Sequence, residues 1–136
     1  GNPDYRIAYS KSGDFTYEGG RQIIEEYLAR YPWNIDVIYA HNDDMALGAV
    51  DALEEHGIRA GVDAVIVSVD GPKDAFKAMI EGKLNCAVEC NPLLGPQLMK
   101  AVQDLMAGKE LPLRIITEEK VYDQSVARAV IKERKY

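Results

Sequence analysis

The sequence predicts an α/β fold in which a parallel sheet is flanked by helices. Short apolar runs alternate with amphipathic stretches along most of the chain, and each change of period indicates a change from strand to helix. The connections are short, as they are in βαβ units, whose crossovers are right-handed and whose strands lie parallel. With 136 residues, 47% of them hydrophobic, the chain has the size of one compact domain.

The periodicity assigns the elements in chain order. Apolar runs predict strands at 5–9, 37–40, 65–69 and 86–90. Amphipathic stretches that end near Pro or Gly predict helices at 16–31, 43–56, 73–80 and 95–107. Beyond Pro112, the segment LRIITEEKVY is predicted to be extended, and residues 126–134 to form a further helix.

The charge balance disfavours a nucleic-acid partner. The chain carries 16 Lys and Arg against 22 Asp and Glu, for a net charge of -6, and has no long basic cluster. A small neutral ligand or a protein partner fits this balance better. No apolar run approaches the roughly 20 residues that cross a bilayer, and no basic-then-apolar leader opens the chain. We therefore expect any export signal to lie outside these residues.

The sequence predicts no metal, cofactor or catalytic residue. Cys86 and Cys90 would lie about 13 Å apart on a straight strand, too far for a disulfide, and two thiols without a nearby His or Cys make a poor zinc site. The chain also lacks a Gly-x-Ser-x-Gly elbow, a phosphate-binding glycine loop and a His-Glu-x-x-His motif. An enzyme is therefore not expected.

Polar residues follow three of the predicted strands, at 39–42, 68–71 and 89–92. Open parallel sheets bind ligands at the carboxyl ends of their strands. These three junctions are therefore expected to form a ligand-binding edge.

Three side chains near this edge have chemistry suited to a sugar. Asn42 both donates and accepts, so its amide can bridge two adjacent hydroxyls, and the Asp70 carboxylate can accept protons from two more. The ring of Phe15 can cover the C–H face of a sugar ring. Each residue also has a structural alternative: a helix N-cap for Asn42, a turn before Gly71 for Asp70, and core packing for Phe15.

The segments IYAHNDDMALGAVDAL, VSVDGPKDAFKAMIEGKL and SGDFTYEGGRQIIEEYL resemble the C-terminal lobe of the periplasmic sugar-binding proteins of ABC transporters. The resemblance is to the ribose- and galactofuranose-binding group of type I periplasmic binding proteins, and it covers nearly the whole chain. It implies a Rossmann-like lobe in which Asn42, Asp70 and Phe15 contact the sugar. It also implies that Asp43 caps the helix behind the site.

One departure from the ribose-binding pattern falls on the segment NCAVEC. The ribose-binding proteins have a ligand-binding Gln where this chain has Cys90, whereas galactofuranose-like proteins have a Val-Glu pair that matches Val88 and Glu89. The resemblance therefore disfavours ribose and implies Glu89 as a fourth substrate-binding residue. Cys90 and Asn91 are the alternatives for this contact at the hinge.

The resemblance further implies that residues 1–136 are a truncated C-terminal lobe. The family has a whole N-terminal lobe, and a further βα unit with a sugar-contacting Arg, ahead of the position of Gly1. The helix at 95–107 would pack on that absent lobe through Leu98, Val102, Leu105 and Met106. We therefore expect the isolated chain to form a homodimer that covers these side chains.

The function that follows from the resemblance is sugar capture for import, without catalysis. The protein would be the periplasmic or extracytoplasmic binding component of an ABC transporter, would bind a mono- or small oligosaccharide, and would deliver it to a membrane permease. The alternative is the effector-binding lobe of a LacI-type, sugar-responsive transcription regulator, which uses the same lobe design.

Overall fold

The computed structural model describes residues 4–136. Within them lies one sheet of four strands, β1 Val37–Tyr39, β2 Val65–Asp70, β3 Cys86–Glu89 and β4 Val121–Asp123. The helices are α1 Tyr17–Leu28, α2 Asp43–Glu55, α3 Lys73–Ile80, α4 Gly95–Met106 and α5 Gln124–Val130, followed by a 3-10 turn at Ile131–Glu133. The predicted α/β fold, a sheet flanked by helices, is confirmed.

The strands lie in the order β1-β2-β3-β4. β1, β2 and β3 are parallel, as predicted, but β4 is antiparallel to β3. Val121 at the start of β4 lies opposite Val88, near the end of β3. The chain leaves the sheet at the carboxyl end of β3, forms α4 without crossing the sheet, and re-enters beside that same end of β3. β4 therefore runs back along β3, and the sheet is mixed.

The prediction of a strand at residues 5–9 is wrong. Residues 5–10 have no strand pairing, and β1, the nearest strand in sequence, pairs with β2. Tyr5 and Ile7 point into solvent, with Ile7 85% exposed, whereas the Tyr9 ring packs edge-on against Tyr27 at 5.5 Å. A strand requires a neighbour for its backbone N–H and C=O groups. Without one among the described residues, the apolar pattern is not sufficient to form it.

The core lies between the sheet and helices α2 and α3. Small residues of α2 allow this helix to pack closely on the strands, and the largest fully buried apolar side chains belong to α2, β2, α3 and the turn before β3. They are Leu53, Ile66, Phe76, Met79 and Leu84. The edge of the sheet that carries the polar junctions is thereby fixed on an apolar base.

Helices α1 and α2 cross with their backbones almost in contact, and two glycines permit this approach. A Cβ at Gly20 would lie 2.1 Å from the carbonyl oxygen of Met45, and one at Gly48 would lie 2.0 Å from that of Tyr17. Ion pairing between Arg21 and Glu55 closes the rim of the same contact. The close crossing holds the loop before α1 beside the start of α2.

Helix α4 buries none of its residues against the rest of the described chain. Its apolar stripe is open to solvent, with Leu98 64% and Leu105 58% exposed. Across residues 4–136, the helices all fall short of the length and apolar character needed to span a bilayer.

The close crossing gives a stability prediction. Gly48→Ala should lower the free energy of unfolding by about 1 to 3 kcal/mol, because the new Cβ displaces one helix from the other. Gly95→Ala is the matched control, since a Cβ there meets no atom within 4 Å. It should leave stability unchanged or raise it by up to about 1 kcal/mol. Urea unfolding followed by circular dichroism measures both; equal effects would contradict the crossing.

Candidate functional site

The carboxyl ends of β1, β2 and β3 meet at one edge of the sheet because the three strands are parallel. The junction that follows β1 carries Asn42 and Asp43, while β2 ends at Asp70 and β3 at Glu89. The register pairs Asp70 directly with Glu89. The polar junctions predicted to share one edge therefore do so.

Asn42 is the N-cap of α2 and also ties down the loop before α1. Its Oδ1 accepts a hydrogen bond from the Met45 amide at 3.1 Å, and its Nδ2 donates to the Phe15 carbonyl at 3.0 Å. The structural alternative for Asn42 is thus correct. A primary amide has four hydrogen-bonding positions, so one N–H and one lone pair remain beyond these two bonds.

Phe15 is not a core residue, and the core-packing alternative is wrong. Its side chain is 64% exposed, because Asp14 and Phe15 both take positive φ angles, 52° and 59°. Such angles are unusual for non-glycine residues. The aromatic ring is thus exposed to solvent, while the carbonyl of the same residue is bonded to Asn42.

Asp43 does not cap the helix, contrary to the expectation. As the first residue of α2 it points toward β2, where its carboxylate accepts hydrogen bonds from the Ser68 hydroxyl and from the Gly71 amide, the latter at 2.6 Å. Asn42 has the extended backbone that capping requires. Asp43 is only 1% exposed, and burial raises its pKa to about 6 against the opposing effect of these two hydrogen bonds.

Asp70 ends β2 with an unusual backbone, at φ 120°. Its side chain is partly exposed. Burial raises its pKa; the backbone N–H of Asp43 lowers it, and the charge of Asp44 raises it further. The residue that follows Asp70 is bonded to Asp43 at the start of α2, so Asp70 lies near that helix end. Together with Asp14 and Phe15, Asp70 completes the set of positive-φ residues other than glycine in residues 4–136.

Glu89 is buried, and both of its oxygens already accept hydrogen bonds. Oε1 accepts from Arg134 at 2.6 Å and from Tyr136 at 2.8 Å, while Oε2 accepts from the Lys120 amide and the Tyr122 hydroxyl, each at 3.3 Å. Burial favours its neutral form, but the Tyr136 and Arg134 hydrogen bonds and the Arg134 charge outweigh it and hold the pKa below its usual range.

The neighbours proposed as alternatives to Glu89 differ from it. Cys90 is exposed and its thiol is free, as is that of Cys86. The Asn91 side chain accepts from the Leu93 amide at 2.9 Å, in a local turn. Neither side chain is buried beside Asp70 as Glu89 is.

Arg134 is a residue of this edge that the sequence did not reveal. It is buried, and its guanidinium lies over the rings of Tyr136, Phe76 and Tyr122 at 4.4, 5.0 and 5.3 Å. In the sequence it stands within a short run of charged residues at the C-terminus, far from Glu89. No local spacing connects the two positions.

The raised pKa of Asp43 gives a pH prediction. The folded state retains a proton on Asp43 that the unfolded chain releases near pH 3.8. The free energy of unfolding should therefore fall by about 2 to 3 kcal/mol through this group as pH rises from about 4 to 6. Asp43→Asn should remove that cost, since its amide can still accept from Gly71 and can donate to Ser68. Other carboxylates oppose the trend, so the difference between the two proteins is the quantity to measure.

Urea unfolding at pH 4, 5, 6 and 7 tests this difference. Asp36→Asn, at an exposed position before β1, is the matched control and should follow the parent chain. Parallel pH profiles for Asp43→Asn and the parent would contradict a raised pKa at Asp43.

Known proteins resemble this chain in both sequence and structure. The galactofuranose-binding protein YtfQ of Escherichia coli is 32% identical over 136 residues, which cover 98% of this chain and 43% of that protein. A Mycobacterium smegmatis protein solved in complex with β-D-fucofuranose is 45% identical, with a TM-score of 0.90 over 96% of this chain and 43% of that one.

A third similar protein is the periplasmic component of the arabinose ABC transporter from a Shewanella species, solved with α- and β-L-arabinofuranose. It is 37% identical, with a TM-score of 0.87 over 95% of this chain and 43% of that one. The chain thus spans less than half the length of each relative. The family described as the periplasmic binding protein domain matches residues 1–110, and the chain belongs to that family.

Proposed function

We propose that this chain is the C-terminal lobe of a sugar-binding protein of an ABC transporter and that it binds a sugar in the furanose form. The observation that carries the proposal is the meeting of Phe15, Asn42 and Asp70 at one edge of the sheet, linked by the Asn42 bond to Phe15 and by the nearness of Asp70 to the start of α2. Membership of the family supports the same function.

Each of the three side chains supplies a different contact. The free N–H and lone pair of Asn42 bridge adjacent hydroxyls, and the Asp70 carboxylate accepts from two hydroxyls in charge-assisted bonds. The exposed ring of Phe15 covers an apolar face of the sugar. None of these contacts involves bond cleavage, so the lobe binds its ligand without catalysis.

Glu89 is the fourth proposed contact, and its two oxygens differ in availability. Oε1 has short bonds to Arg134 and Tyr136, while both bonds to Oε2 measure 3.3 Å. A sugar hydroxyl would therefore compete for Oε2. An acceptor-only carboxylate here recognises a hydroxyl as donor, whereas the Gln of the ribose pattern can also donate.

The preference for a furanose rests on the relatives. The proteins compared above bind galactofuranose, β-D-fucofuranose and L-arabinofuranose according to their descriptions, and Val88 and Glu89 match the galactofuranose pattern. A LacI-type regulator is the weaker alternative, because these three relatives are binding proteins and one is a transporter component.

The whole protein, in this proposal, has two lobes that close on the sugar and acts outside the cytoplasm. Residues 1–136 supply one wall of the cleft, and the segment at 95–107 crosses to the other lobe, so that Leu98, Val102 and Leu105 pack there. The closed form delivers its sugar to a membrane permease, and nucleic acid is not a partner.

The site assignment predicts a loss of affinity. Asn42→Ala and Asp70→Ala in the full-length protein should each weaken sugar binding by about 1.5 to 3 kcal/mol, the scale of a lost hydrogen bond to a charged or polar group. Isothermal titration with L-arabinose, D-fucose and D-galactose measures the change.

Asn34→Ala and Asp36→Ala are matched controls, because both residues are exposed and precede β1, at the opposite end of the strands. They should bind as the parent does. Unchanged binding by both Asn42→Ala and Asp70→Ala would contradict the site assignment. A parent protein that binds none of the three sugars would argue against a furanose ligand.

The isolated chain should form a homodimer through α4. Two copies can cover the open stripe of Leu98, Val102 and Leu105 when no second lobe is present, and each aliphatic side chain buried contributes about 1.5 to 3 kcal/mol. Leu98→Glu with Leu105→Glu should give a folded monomer, since α4 contributes nothing to the core.

Sedimentation velocity measures the oligomeric state. Gln97→Glu with Gln103→Glu is the control, because it adds the same charge to α4 away from the stripe and should leave a dimer. A parent chain that stays monomeric at high concentration would contradict this contact.

A further inference from the structure

The turn that carries Asp70 is held in an unfavourable backbone conformation. Asp70 has φ 120° and Gly71 has φ 79°, and an L-residue takes the first of these angles only when its surroundings enforce it. Gly71 tolerates its own angle because it lacks a Cβ. The direction of the Asp70 carboxylate thus depends on whatever fixes this turn.

Three hydrogen bonds fix the turn, and each reaches it from a different part of the chain. The Cys90 amide donates to the Asp70 carbonyl at 3.0 Å. The Gly71 amide donates to Asp43 at 2.6 Å, and the Gly71 carbonyl accepts from Arg134 Nη2 at 2.5 Å. The peptide between Asp70 and Gly71 is therefore held on both sides by Cys90 and Asp43, and the C-terminal tail holds the carbonyl of the next peptide, that of Gly71.

Arg134 is itself rigidly placed. Its Nη1 bonds to Glu89 at 2.6 Å, and its guanidinium lies between aromatic rings, with Nε lacking a hydrogen-bond partner within the described part of the chain. The tail is anchored once more, because the Lys73 amide donates to the Tyr136 carbonyl at 2.9 Å. A guanidinium suits this position because its planar fork serves two acceptors at once.

We infer that Arg134 is a positioning residue for ligand binding: with Tyr136 it clamps the turn after β2, so that Asp70 is already directed at the sugar before the sugar arrives. This inference rests on the proposed role of Asp70. Removing the clamp should therefore cost affinity through Asp70, even though Arg134 need not touch the ligand. Preorganisation of this kind lowers the entropy lost on binding.

Hydrogen exchange tests the clamp without any sugar. In Arg134→Gln, the amides of Gly71 and Lys73 should exchange at least about tenfold faster, as expected when a local opening becomes easier, while those of α2 stay unchanged. Arg128→Gln, an exposed arginine of α5, is the matched control. Unchanged exchange at Gly71 and Lys73 would overturn the inference. Should Arg134→Gln fail to fold, Arg134→Lys, which keeps the charge but lacks the planar fork, provides the second variant and should show the same faster exchange.

A double-mutant cycle in the full-length protein tests the route through Asp70. In the parent protein, Arg134→Gln should weaken L-arabinose binding about tenfold, which is the scale of one lost hydrogen bond. In the Asp70→Ala protein, the same change should weaken binding less than about twofold. A purely structural role for Arg134 would give the same loss in both backgrounds. Leu53→Ala, a buried change in α2, controls for lost stability and should leave affinity unchanged.

The outcomes of the cycle separate the two proposals. If Asp70→Ala loses affinity but the effects of the two changes add, the clamp is overturned and the site assignment stands. The same holds if Asp70→Ala loses affinity and Arg134→Gln has no effect. Full affinity in Asp70→Ala overturns the proposed role of Asp70 in the site and the clamp that rests on it. Only a loss from each single change with a small further loss in the double variant supports the clamp.

Discussion

The carboxylate of Asp43 joins the start of α2 to the end of β2, and the geometry of the candidate site depends on this link. Its bonds to the Ser68 hydroxyl and the Gly71 amide hold two strand ends side by side. Asn42 precedes Asp43 and Asp70 precedes Gly71, so the link sets the spacing of both proposed sugar contacts. Burying a carboxylate is costly, and these hydrogen bonds, with the dipole at the start of α2, offset that cost.

A second buried charge lies at the same edge, between Glu89 and Arg134. Such a pair contributes less to stability than its Coulomb energy suggests, because both groups lose their hydration. It fixes geometry instead, since the hydrogen bonds of the guanidinium are directional. The positive-φ residues Asp14, Phe15 and Asp70 also belong to this edge. Strain and buried polarity thus concentrate where a ligand would bind, while the apolar strands and helices beneath supply stability.

Helix α4 shows the opposite situation, because none of its residues is buried within residues 4–136. Its sequence forms a regular amphipathic helix, yet its apolar side chains remain in solvent. The chain spans 43% of the length of each relative compared, and in the two-lobed protein that we propose the other lobe covers this helix. The segment at 5–10 also has no strand beside it among residues 4–136, and a strand needs a neighbour for its backbone N–H and C=O groups.

The sequence by itself determined the α/β fold, most helix bounds to within a few residues, and the shared edge of Asn42, Asp70 and Glu89. These features follow from apolar periodicity, and from the rule that parallel strands end together. Only the tertiary structure decided that Asn42 rather than Asp43 caps α2, that β4 is antiparallel, and that Arg134 reaches Glu89 and Gly71. These depend on contacts between residues far apart in sequence, for which local pattern carries no information.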